Sequence, residues 1–212
     1  MATQASPILA ASSASPEQAI AYITARGTPY SPASIITIVG HYWDFAPPAG
    51  IDPALALAQC IHETSDQDPV SRKWLVLASW WSQRPRRNPA GLGVTGRTQA
   101  TSPTSMQHTW AFDERGGIWR HGLSFPSWEL AVRAQLGRLL AYAMRDQDAT
   151  SAQRALIDEA LGWRPFPAEL RSTASTLRHL GAKHNPTGQG WASPGDTYGE
   201  KIAEIATAIA RQ

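Results

Sequence analysis

Apolar residues recur at helical spacing along most of this chain, and the exception is one continuous stretch in its middle. Ser15-Pro16-Glu17-Gln18 reads as a helix start, with proline first and Gln18 three residues after the cap. Ser31-Pro32 opens a second helix through Ile35, Ile36, Val39 and Trp43, which must end before Pro47-Pro48. Asp52-Pro53 opens a third, from Ala54 to Glu63; it is apolar almost all round, which predicts a buried central helix. A fourth is predicted over about 72–82. Further on, Ser127 caps a segment with Val132, Leu136, Leu139, Leu140 and Ala143 on one stripe. Two shorter helices are predicted at about 151–161 and 167–180, with Gly162 and Gly181 at their C-terminal ends. The last, from Asp196, carries Tyr198, Ile202, Ile205, Ala206 and Ile209 on one face.

Residues 88–125 are different. Glycine, threonine and serine replace the helical period, and 109–112 and 118–121 flank Asp113-Glu114-Arg115-Gly116-Gly117 as a β-hairpin would. The expectation is a mainly α fold: a helical body with a small β-hairpin lobe at about 96–125, and a ligand cleft between them. Residues 1–14, rich in Ala, Ser, Thr and Gln, are expected to be a flexible lead-in, and 15–212 a single domain. The lead-in lacks the basic and long apolar regions of a secretory signal.

Composition narrows the function. No apolar run approaches the ~20 residues that cross a bilayer, so no membrane insertion is expected. One cysteine, Cys60, excludes a disulfide framework and a cysteine-cage metal site. A net charge of +2 is too small for a dedicated nucleic-acid binder. Nine tryptophans against four phenylalanines favour flat faces that stack on polar rings as well as pack.

Glu63 is the first candidate for chemistry. At the end of a buried helix, desolvation and the negative end of the helix dipole both favour its neutral form, as a general acid requires. The plainer alternative is a solvated Glu paired with Arg72 or Lys73. His62 and Asp66, spaced i and i+4, come within one residue type of a zinc-protease motif. The Asp68-Pro69 that follows and the missing third ligand argue against a metal, and none is expected. The glycine-rich 88–96 lacks a phosphate-loop lysine and reads as a tight bend. The basic run 82–87 reads as a solvated loop or a steering patch for an anionic polymer. Trp80 and Trp81 are adjacent, so on a helix they point about 100° apart, and at most one, taken as Trp81, lines a cleft.

Several of these pieces, in this order, resemble a known family. The run Asp52-Pro53 … Leu57-Ala58-Gln59 … Glu63-Thr64 is similar to the signature D-P-x-x-x-(A/L)-A-Q-x-x-x-E-(T/S) of family 73 glycoside hydrolases, N-acetylglucosaminidases with a lysozyme-like fold. Asn88-Pro89-Ala90-Gly91-Leu92 looks like that family's N-x-(F/A)-G-I loop. Gly117-Ile118-Trp119 and Phe125-Pro126-Ser127-Trp128-Glu129 look like its next stretch. Trp191-Ala192-Ser193-Pro194 with Tyr198, Lys201 and Ile202 looks like its closing one. The match departs at 65–68, where a small-aromatic run is usual, and lacks a lysine after Leu92.

The resemblance implies a peptidoglycan hydrolase that cleaves at N-acetylglucosamine, with peptidoglycan glycan strands as its partner. Glu63 would be the acid, Tyr198 would face the cleft, and Gln59, Asn88, Gly91 and Trp191 would contact substrate. Trp191 would equally serve as a core wedge. The second acid would be Asp113 or Glu114 from the lobe, with Asp113 favoured, unless the substrate's N-acetyl group replaces it. A monomer acting on the cell wall without cofactor is expected. A lytic transglycosylase and a non-catalytic glycan-binding module of a phage or secretion assembly are the alternatives.

Overall fold

The computed structural model describes residues 1–104 and 108–212. The part of the predicted lobe at 105–107 lies outside the described residues. The fold is mainly α. Helices α1 (Pro16–Arg26), α2 (Pro32–Phe45) and α3 (Pro53–Thr64) begin where the sequence places caps: Ser15, Ser31 and Asp52 each accept a backbone N–H from the first turn. Ser127 does the same for α4 (Trp128–Ala143), and Thr150 for α5 (Ser151–Trp163). The last helix is α6 (Tyr198–Ile209).

Helix α3 is the axis of the core. Every one of its residues is buried except His62 and Glu63, so its apolar surround is satisfied by α2 and α6 and opens only at its C-terminal turn. Helix α4 lies along α5 at very short range. A Cβ added at Gly137 would fall 2.0 Å from the Leu156 carbonyl oxygen, so only glycine allows that crossing.

The lobe is a three-stranded antiparallel sheet, ordered β3 (Thr98–Gln99), β5 (Ile118–His121), β4 (Trp110–Asp113). Strands β4 and β5 are the predicted hairpin, in register Trp110 to His121 and Asp113 to Ile118. The edge strand β3 is an addition that the sequence pattern does not announce.

Four expectations need correction. The predicted helix at 72–82 does not form. Asp68 accepts the N–H groups of Val70 and Ser71 in a local turn, and strand β2 (Trp74–Leu75) folds back onto β1 (Asp66–Gln67). Arg72 and Leu77 have φ of 60° and 55°, which no helix accommodates. The predicted helix at 167–180 is two short 3-10 turns, Ala168–Leu170 and Leu177–Leu180. Between them Ser172 and Ala174 donate to carbonyls at the end of α4, which takes the backbone out of helix. Gly162 lies inside α5 rather than after it. The N-terminal residues 1–14 are not a loose lead-in: Pro7 pairs with Thr176, Leu9 pairs with Ile51, and Ile8 is buried in the core.

Candidate functional site

The C-terminal turn of α3 presents Glu63 at the only place where that helix leaves the core. Ala56, Gln59 and Glu63 occupy one stripe of α3, at i, i+3 and i+7. A chain of hydrogen bonds follows that stripe. Gln135 of α4 donates Nε2 to the Ala56 carbonyl at 3.0 Å and to Gln59 Oε1 at 2.8 Å, while its own Oε1 accepts from the Tyr42 hydroxyl at 2.6 Å. Gln59 Nε2 donates to the Tyr198 oxygen at 3.0 Å, and Tyr198 donates to Glu63 Oε1 at 2.5 Å.

The direction of this chain is fixed chemically. A backbone carbonyl only accepts, so the Ala56 bond sets the Gln135 amide. That sets the Gln59 amide, which leaves the Tyr198 hydrogen free only for Glu63. Oε1 is therefore an acceptor, and a proton on Glu63 resides on Oε2. Oε2 looks toward the loop at Gly91, where an added Cβ would stand 3.6 Å away and where φ is +60°. Glycine there keeps the acidic oxygen uncovered and suits the left-handed backbone.

Burial pushes the Glu63 carboxyl above its usual range, and the Tyr198 hydrogen bond pulls part of that back. Glu63 makes no ion pair with Arg72 or Lys73 among the described residues. Burial and the adjacent carboxyl raise the Tyr198 phenol well above normal, so it stays a donor. Cys60, one residue along from Gln59, is buried and its thiol is pushed up to about 12; it is inert packing. His62 turns its ring edge-on to Tyr198 at 5.3 Å. Helix α3 ends at Thr64, so Asp66 sits in β1 rather than on a helical face with His62, and the i, i+4 ligand pairing fails.

The structure brings Glu63, Tyr198, Gln59 and Gly91 together and changes the work of several. Asn88 is fully buried. Its amide donates to the Leu92 and Leu123 carbonyls and accepts from the Ala90 and Leu92 N–H groups, which uses its whole capacity. It shapes the loop that carries Gly91 and is not available to a substrate. Gln59 is likewise buried behind Tyr198, and Tyr198 itself is only 6% exposed; both act on Glu63 rather than on a ligand directly. Trp191 is partly buried, tilted against Tyr142 at 5.9 Å, so it serves partly as the core wedge.

Asp113 stays within the lobe. Arg120 binds its Oδ2 at 2.8 Å through Nε and 2.7 Å through Nη2, and Oδ1 accepts from the N–H groups of Arg115 and Gly116. The Arg120 bond, helped by those backbone donors, holds this carboxyl below its usual range. Asp113 and the exposed Glu114 help line a groove of 1120 Å³, which runs between the sheet and the 66–86 segment. Glu63 is not among its walls, so this groove is distinct from a cleft at Glu63. Trp80 lines that groove, with the Arg86 guanidinium 3.7 Å from its ring centre. Trp81 instead packs where a Cβ at Gly122 would fall 2.5 Å from its ring. The pair is not helical, and of the two only Trp80 lines this groove.

Sequence reasoning missed Tyr42 and Gln135. A signal existed for Gln135: it is a polar residue amid the buried positions of α4. Comparison with protein-family models, with curated proteins and with solved structures finds no match to this chain.

Proposed function

We propose that this protein is a glycosidase with a lysozyme-like body that cleaves β-1,4 bonds at N-acetylglucosamine in peptidoglycan, with Glu63 as general acid. The observation that carries the reading is the protonation bias at Glu63: a carboxyl raised by burial, with Tyr198 donating to one oxygen so that the proton is presented on the other. In the proposed step Oε2 protonates the glycosidic oxygen as the ring flattens toward an oxocarbenium ion. Gly91 leaves the approach open, and the Gln135–Gln59–Tyr198 chain keeps Oε1 from rotating into that role. The sequence resemblance supplies the substrate class.

Asp113 favours a one-carboxyl variant of the scheme. Bound by Arg120 and two backbone N–H groups, it is a weak base. The second partner is then the substrate itself, through its N-acetyl group or, in a lytic transglycosylase, through the C6 hydroxyl of the cleaved sugar, which closes onto C1. Purified cell wall digested with the wild type and with Glu63→Gln, followed by mass spectrometry, tests both points. Activity lost in Glu63→Gln supports the acid. Products carrying added water indicate hydrolysis, and anhydro products lighter by one water indicate transglycosylation. Undiminished digestion by Glu63→Gln would refute the reading.

A further inference from the structure

Helix α4 carries two arginines with opposite treatment. Arg133 meets Glu159 through Nε at 2.9 Å and Nη2 at 2.6 Å. Arg138 is more deeply buried, at 8% exposure, yet no ion pair among the described residues includes it. Its guanidinium has one long hydrogen bond, 3.5 Å from Nη1 to the Arg164 carbonyl, and lies 4.7 Å from the Phe166 ring centre. Arginine is seldom buried so far without an anion, because an uncompensated charge in the interior is costly. The neighbouring charge is a second cation, Arg164, which also forms no ion pair among the described residues. Burial and Arg164 together press the Arg138 pKa down to about 10.

The place matters as much as the charge. Arg164 Cδ stands 3.8 Å from where a Cβ on Gly93 would be, and Gly91 of the same loop faces Glu63 Oε2. Tyr142 feels both arginines, packs against Phe166 at 4.6 Å and Trp191 at 5.9 Å, and is close enough to Tyr198 to influence it. Two guanidinium groups with no ion pair among the described residues, and an aromatic wall, therefore lie next to the loop that borders the acid.

We propose that Arg138 and Arg164 form a carboxylate-binding subsite beside Glu63, occupied by an acidic substituent of the bound glycan. Guanidinium forks bind carboxylates in paired hydrogen bonds, and a partly buried one does so without much competition from water. The carboxylate belongs either to a group on the sugar ring or to a peptide attached to it. The glycan part of this assignment rests on the proposed glycosidase function; the anion part rests on the two arginines alone.

The test uses calorimetry on the Glu63→Gln protein, which holds glycan uncut. The probes are peptide-bearing wall strands, peptide-free strands with free sugar carboxylates, and carboxyl-reduced forms of each. Carboxyl reduction is expected to weaken binding about 10-fold, the scale of one charge-assisted hydrogen bond. In Arg138→Met and in Arg164→Gln that preference should fall toward one. A preference seen with peptide-bearing strands alone assigns the carboxylate to the peptide. No preference with either strand type, or a preference that persists in both variants, overturns the proposal. If the protein binds no glycan, the glycosidase reading fails and acetate decides the subsite. Acetate, against chloride at equal ionic strength, should raise the melting temperature of the wild type and not of Arg164→Gln; no rise overturns the proposal. Arg164 is exposed, so that variant reports even if Arg138→Met folds poorly.

Discussion

Glu63 ends a helix whose other surfaces are almost all buried, whereas Asp113 ends a four-residue strand in a small sheet. The first has a phenol as its hydrogen-bond donor and no ion pair among the described residues; the second has a guanidinium and two backbone N–H groups. The same functional group is thereby pushed in opposite directions, toward the acid in the body and toward the anion in the lobe. In the proposed mechanism, proton donation belongs to the body. The lobe carboxylate serves the hairpin, closing its turn and fixing Arg120.

The largest effect that would break this contrast is on turnover. Glu63→Gln is expected to lower wall cleavage by about 10²-fold or more, the scale of a lost general acid. Asp113→Asn should cost far less, because Asp113 has no proton to give. Equal losses in the two variants, measured as kcat/KM on soluble glycan fragments, would erase the distinction.

Stability against pH separates the two regions next. Glu63 has a folded pKa above its reference of 4.5, so its stability penalty is absent below that pH and grows as pH rises through the folded value. The melting-temperature advantage of Glu63→Gln over wild type should therefore increase from about pH 4.5 upward. Asp113 has a folded pKa below 3.8; its contribution is full above that pH and is lost as pH falls through the folded value. The melting-temperature deficit of Asp113→Asn should accordingly be present at neutral pH and vanish on acidification. Parallel curves for the two variants would contradict the assignment.

A smaller effect is expected behind Glu63. Gln135→Met removes the amide that joins Tyr42 to Gln59, leaving buried polar groups unpaired at a cost of about 2 kcal/mol by urea unfolding. It should also slow catalysis, since the Gln59 amide is then free to turn and Tyr198 loses its fixed direction. A variant as stable and active as wild type would show that the chain does not orient the acid. Smallest is Gly91→Ala, expected to cost about 1 kcal/mol for the left-handed backbone at φ +60°. Its added methyl beside Oε2 should raise KM more than it lowers stability.

The body was more legible than the lobe and the termini, for physical reasons. Caps and apolar stripes are local signals, so Ser15, Ser31, Asp52 and Ser127 announce their helices. Glu63 was legible because one helix supplies both its burial and its exit. Tyr198 is named for the site only through the resemblance, and Tyr42 and Gln135 not at all, because these three arrive from three other helices and only packing aligns them. The segment after α3 misled because Trp74, Leu75, Val76 and Leu77 look helical, while the Asx turn at Asp68 and the pairing with β1 decide otherwise. Pro7 and Leu9, in a small polar tract, give no hint of the distant partners they meet at 176 and 51. Asp113 is named by the resemblance within the predicted hairpin, and its partner Arg120 on the facing strand becomes visible only in the register of the sheet.

The most direct measurement is a carbon-13 NMR titration of the Glu63 side-chain carboxyl in the wild type and in Tyr198→Phe. The account predicts a wild-type midpoint above 4.5 and a higher one in Tyr198→Phe, because that hydrogen bond favours the charged form. A wild-type midpoint at or below 4.5, or no upward movement without the Tyr198 hydroxyl, would contradict it.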